Sequence, residues 1–115
     1  MNNFDEKPLK EIAFSTDNLY REDSYTDLKV GSIRILTPVK PDGTADLTRT
    51  TLFIGQAQFM SPDGPLPIQG LIDAKSLAEA MEKFPQAMEE ALHHMITEAR
   101  ELQRQKESGL ILPGK

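Results

Sequence analysis

His93 and His94 are the only histidines in the chain, and their surroundings have the spacing of a metal site. Glu90-Ala91-Leu92-His93 matches the Glu-x-x-His pattern of helical di-metal carboxylate centres, and Glu90, His94 and Glu98 stack at i, i+4 and i+8. Those centres are built inward, from four helices carrying two such motifs. At about 100° per residue His93 falls about 160° from Met95, nearly opposite an apolar stripe, and His94 lies on a flank. The pattern therefore describes an exposed helix face with Glu89–His93 and Glu90–His94 pairs. No metal or other cofactor is expected.

Other chemistry is equally unmarked. Ser15, Ser24, Ser32, Ser61, Ser76 and Ser108 fall in turns or at helix caps, none in a Gly-x-Ser-x-Gly elbow. The glycine-rich phosphate-binding patterns are absent. Asp42 and Asp63 sit in hairpin turns, where they cap the turn; calcium needs more ligands than one turn supplies. There is no cysteine, hence no thiol nucleophile and no thiolate zinc site. No catalytic residue is assigned and an enzyme is not expected. Lys29, Arg34, Lys40 and Arg49 line one end of a hairpin, but aromatics are only 6% and Phe53 and Phe59 read as core. With a net charge of −5, neither nucleic acid nor an acidic membrane is an expected partner.

The element that must position the histidines is a helix. Leu77, Met81, Phe84, Met88, Leu92, Met95, Ala99 and Leu102 recur at steps of three or four, a stripe roughly 100° wide with Ala91 included. Asp73 and Ser76 are both good N-caps, and Ser76-Leu77-Ala78-Glu79 fits a capping box in which Glu79 reaches back to the cap amide. Gly109 suits the residue after the helix, and Pro113 forbids its resumption. Pro85 lacks an amide proton and crowds the preceding turn. The expectation is a short helix near 76–83, a break at Phe84-Pro85, and a long helix from 85 to about 107.

That long helix spans about 35 Å at 1.5 Å per residue, as much as the roughly 34 Å diameter of a compact chain of this length. Strands of five to eight residues reach only about 17–27 Å, so part of the stripe extends past any sheet. The simpler reading is that the whole stripe is core; the geometric one is that its distal part meets a second copy.

The sheet itself is read from three segments. Leu28 to Val39 is a strand whose apolar parity switches across Gly31-Ser32, where a bulge would re-aim side chains. Lys40-Pro41-Asp42-Gly43 is a turn. Thr50 to Met60 follows, with Phe53, Gly55, Ala57 and Phe59 on one face and Leu52 and Ile54 on the other, so this strand is central. Small Gly55 and Ala57 permit close approach by a helix. Ser61-Pro62-Asp63-Gly64-Pro65 turns the chain into Leu66 to Ile72, whose Pro65 and Pro67 place it at an edge. Two successive turns of similar chemistry make an antiparallel meander, and the meander leads directly into the helix.

The fold class is thus α+β: a three- to four-stranded antiparallel meander, then a short helix and a long C-terminal helix on one sheet face. Residues 1–24 read as a polar N-terminal arm, partly disordered, in which Pro8 and Leu9 start a helical turn or Lys10 to Phe14 form an edge strand. Residues 25–108 form the domain, and 109–115 an apolar tail able to add to a sheet edge. Met1 to Lys10 has no apolar run and nowhere do 18 apolar residues follow one another, so neither signal peptide nor membrane span is expected and the cytoplasm is the default.

The functional expectation is a non-enzymatic binding or assembly module. It is a small homo-oligomer, a dimer or higher, that presents sheet edges and a Met-rich helix to itself and to another protein or peptide. Met88, Leu92, Met95, Ala99, Leu102, Leu110, Ile111 and Leu112 are its interface residues. Flexible thioethers suit irregular partners, although they fill cores equally well. The alternative is a small enzyme or nucleic-acid-binding protein whose site forms only at an oligomer interface.

Overall fold

A computed structural model describes residues 9–109 of the 115-residue chain. Four strands, β1 (Tyr20–Thr26), β2 (Gly31–Pro38), β3 (Leu52–Ser61) and β4 (Gly64–Ile72), pair antiparallel in the order β1-β2-β3-β4. One helix, α1 (Leu77–Gly109), follows. Two short 3-10 turns, Leu9–Ile12 and Thr16–Asn18, precede the sheet. Of the two readings of the arm, the helical turn at Leu9 is the one that forms. The central place of β3 and the edge place of β4 are as the sequence implies.

β1 occupies residues that sequence reading placed in the polar arm. Its register sets Tyr25 against Ile33 and Asp23 against Ile35. No apolar alternation announces it, because α1 lies over β4 and β3 and leaves this end of the sheet uncovered. The strand expected to begin at Leu28 begins at Gly31, and there is no bulge at Gly31-Ser32: β2 pairs in unbroken register with both neighbours. The parity switch arises because Leu28 and Val30 belong to the β1–β2 turn. There the Lys29 and Val30 amides donate to Asp27 Oδ1 (2.9 and 2.8 Å) and the Leu28 amide to Thr26 Oγ1 (3.0 Å).

The other two turns follow their sequences. The Gly43 amide donates to the Lys40 carbonyl (2.7 Å), with Gly43 at φ 89°. Asp42 Oδ1 accepts from the Thr44 amide and hydroxyl (3.0 and 2.7 Å). At the two-residue β3–β4 turn Gly64 has φ 115°, and here Ser61 rather than Asp63 does the capping: its hydroxyl accepts from the Asp63 amide and donates to the Gly64 carbonyl. Counting from that turn, Pro65 and Pro67 face Met60 and Gln58 at positions where β4 makes no bond to β3. The prolines thus cost the ladder nothing and strip donors from the outer edge.

Arg49 closes the far end of the sheet. Its Nη2 donates to the carbonyls of Leu19 and Val39 (both 2.9 Å), its Nε to Asp46 Oδ2 (3.0 Å), and its guanidinium lies 5.0 Å from the centre of the Tyr20 ring. The Thr48 hydroxyl, and then Arg49, hold the Asp46 carboxyl down to about 2.

The helix is continuous through Pro85, so the expected break and separate short helix are absent. Pro85 and Met81, one turn apart, are both exposed, so water can take the Met81 carbonyl that proline leaves unpaired. Contacts on the opposite side hold the helix to the sheet. Phe84 packs inward, as expected for an apolar residue on the stripe. At the N-terminus the Glu79 amide donates to Ser76 Oγ (3.1 Å), while Glu79 Oε1 accepts from the Lys75 amide (2.8 Å), one residue before the cap amide expected. Lys83 Nζ bonds Glu79 Oε2 (3.0 Å) and the Asp73 carbonyl (2.8 Å).

The core lies between α1 and the β3–β4 side of the sheet: Ile33, Phe53, Ile72 and Ala80, with Phe84 and Ala87 against them. Gly55 and Gly70 are direct cross-strand partners. A Cβ on Gly55 would meet Met88 Cε, Ile72 Cδ1 and Phe84 Cε1 at 2.9–3.0 Å, and one on Gly70 would meet the Ala91 Cβ at 3.1 Å. This glycine pair is a flat on which alanines and Met88 sit. The contact face of α1 is therefore turned roughly 60° from the stripe of large side chains, at 100° per residue. Ala80 is 0% exposed and Met81 56%.

Candidate interaction surface

Turning α1 onto its alanines leaves the large apolar side chains on a flank. Toward the N-terminal end, that flank faces the β1–β2 hairpin across a groove of about 480 Å³. Tyr25, Val30 and Ile33 line one wall, Leu77, Met81, Phe84 and Pro85 the other, with Thr26, Asp27 and Ser32 at the rim. The hairpin wall is fixed by the Asp27 carboxylate, whose bonds to the Val30 and Lys29 amides also hold its own pKa below the usual range. The same turn holds Leu28 at φ 60°, a left-handed conformation that costs an L-residue roughly 1–2 kcal/mol. Leu28 is nonetheless 91% exposed, and Val30, Tyr25 and Met81 beside it are also exposed. The strained, outward leucine stands in the turn that carries the lining residues Asp27 and Val30.

Past Met95 the helix leaves the sheet. Every residue from Ile96 to Lys106 is exposed, Leu102 at 64%. The radius of gyration is 19.4 Å, against roughly 13 Å for a compact chain of this length. The interface residues read from sequence thus divide. Met88, 7% exposed over Gly55, belongs to the core. Leu92 and Met95 are half-buried, and Ala99 and Leu102 are exposed on the projecting part. Leu110, Ile111 and Leu112 lie outside the described residues. The hairpin wall with Leu28, Val30 and Tyr25 was missed. Its signal was Thr26-Asp27 ahead of Leu28, an Asx turn read as strand.

The histidines are both exposed. His94 Nε2 pairs with Glu98 (3.0 Å), and Gln86 Nε2 donates to Glu90 (3.2 Å), so the expected Glu90–His94 pair gives way to other partners, and the expected Glu89–His93 pair does not form either. Among the described residues no three His, Asp or Glu side chains gather as metal ligands. The basic residues do not converge either. Lys29 is in the β1–β2 turn and Lys40 beyond the opposite end of β2. Arg34 lies 3.6 Å from Glu22 on the face away from α1, and Arg49 is committed to backbone carbonyls. No described helix is long and apolar enough to cross a membrane. In comparisons with known protein families, curated proteins and solved structures, nothing matches this chain.

Proposed function

We propose that this chain is a non-enzymatic assembly module of the cytoplasm, a small homo-oligomer that offers its helix and sheet edges to itself and to a protein or peptide. The observation that carries this reading is the projecting half of α1. It keeps the apolar spacing of a buried helix from Met95 through Ala99 to Leu102 while its residues from Ile96 onward are exposed. A helix amphipathic in sequence and solvated on both sides has an unused apolar face, and covering it is worth roughly 1.5–3 kcal/mol per large side chain. A symmetric dimer gains each such contact twice.

Sedimentation equilibrium at micromolar concentration tests the reading. The wild-type chain is expected to associate, and Leu102→Glu to dissociate it while leaving the circular dichroism spectrum and unfolding midpoint of the dilute protein unchanged. A wild-type monomer at that concentration sinks the reading. A Leu102→Glu variant that unfolds instead of dissociating would place Leu102 in a core.

A further inference from the structure

We propose that the β1–β2/α1 groove is the seat for the projecting end of α1 from a second copy, the two helices running antiparallel about a two-fold axis at the level of His93. This rests on the homo-oligomer reading and specifies its geometry. Groove and projection lie on one continuous helix, at residues 77–85 and 96–109. A chain therefore cannot place its own projection in its own groove; only another copy can. Residue 93 is the midpoint of Leu77–Gly109, so a two-fold there lays the projecting turns of each copy along the groove of the other. Leu102 comes level with Phe84 of the second copy and Ala99 with Ala87 of the second copy.

Three observations favour this occupant. The groove wall on α1 (Leu77, Met81) and the projecting apolar residues (Met95, Ala99) fall on the same flank at about 100° per residue, so one rotation of the helix serves both halves of a symmetric contact. Charge does not oppose the contact: the groove end balances Asp27, Glu79 and Glu82 with Lys29, Lys75 and Lys83, and the projecting turns balance Arg100, Arg104 and Lys106 with Glu98, Glu101 and Glu107. Antiparallel helices also oppose their dipoles favourably, each C-terminus beside an N-terminus. Finally, the hairpin lip is held outward by the Asp27 bonds with Leu28 in a left-handed conformation, so a wall stands ready beyond the helix to close over the incoming turns.

The chain has no cysteine, so engineered cysteine pairs and a short crosslinker test the geometry on the full-length protein. Met81 and Leu102 are exposed and tolerate replacement. In the antiparallel pair, two copies of residue 102 are about 27 Å apart and two copies of residue 81 about 36 Å, at 1.5 Å per residue. Met81 and Leu102 of the second copy stand three residues out of level, about 4.5 Å along the axis, so the double variant Met81→Cys/Leu102→Cys should be joined into a covalent dimer by a short bifunctional thiol reagent that spans an interaxial gap of about 8–10 Å, and neither single variant should. Within one chain the same two positions are about 32 Å apart, so an intramolecular bridge does not compete. Sedimentation of the reduced variants runs alongside. If the wild-type chain, run beside them, is monomeric, the oligomer reading itself falls; if the wild type associates and the reduced variants do not, the replaced side chains hold the interface, as inferred. If the variants associate but Leu102→Cys alone crosslinks, the copies meet at Leu102 rather than about His93 and the inference is overturned. If they associate and no variant crosslinks, the interface lies elsewhere and only this inference is overturned.

Discussion

Between Leu77 and Ala91, α1 lies on two facing glycines with its alanines turned inward; from Ile96 to Lys106 the same helix, with apolar residues at the same spacing, is exposed throughout. The difference is supplied by the sheet, chiefly by β3 and β4. Where Gly55 and Gly70 remove side chains from the sheet, the helix backbone comes close and small residues suffice. Where strands end, large residues stand in water. Hydrophobic periodicity reports that a stripe exists and where it points; it does not report what covers the stripe.

Truncating one methionine and one leucine breaks the comparison most sharply. Met88→Ala empties volume over Gly55 and should cost about 2–5 kcal/mol of stability. Leu102→Ala, measured on dilute monomer, should stay within about 0.5 kcal/mol of wild type. Urea unfolding at low protein concentration reads both, and equal costs would mean that the two halves are not differently packed.

A smaller effect is expected within the sheet-bound half. Pro85 sits inside the helix with its missing bond turned to solvent. Pro85→Ala restores the bond to the Met81 carbonyl and should raise stability by up to about 3 kcal/mol. An unchanged or lowered midpoint would show that Phe84 needs the backbone geometry that proline imposes.

The smallest effect concerns the start of the sheet-bound half. The Lys75 amide, then Lys83, hold the Glu79 carboxyl below its ordinary value. A carboxyl depressed in the folded state adds stability above the unfolded pKa, and that stability is lost as pH falls through the folded one. Wild type should therefore exceed Glu79→Gln in melting temperature at pH 6, with the gap closing as the pH drops below about 4.5, the unperturbed value. A gap that persists at pH 2 would assign Glu79 a role other than its charge.

Much of the fold was legible because its signals are local. Pro-Asp-Gly marked both turns, Phe53 and Ile54 on opposite faces marked a central strand, and Ser76 with Glu79 marked the helix start. What stayed hidden depends on neighbours that no local pattern encodes. Tyr20–Thr26 alternates nothing hydrophobic, because its helix-side face receives no helix. Leu28 and Val30 look like strand residues and are turn residues, held there by one aspartate. Ala80, the most buried side chain on α1, carries too little apolar surface to weigh in a periodicity. The projecting end was legible from length alone, since strands of this size fall short of such a helix. The groove was not, because it exists only where a rotated helix and a hairpin tip meet.

The meander carries a kinetic consequence. Each strand pairs only with its predecessor and successor in the chain, and α1 returns first to β4, the strand just before it. Assembly proceeds by a series of short closures, the regime in which folding is fast. The β3–β4 hairpin and the first turns of α1 can form as the leading unit, from residues 52–91. The Arg49 bond to the Leu19 carbonyl bridges 30 positions, so it marks the late event, the moment the N-terminal strand is locked to the rest. A chain that emerges N-terminus first from synthesis therefore has its first strand out before the 52–91 unit is complete.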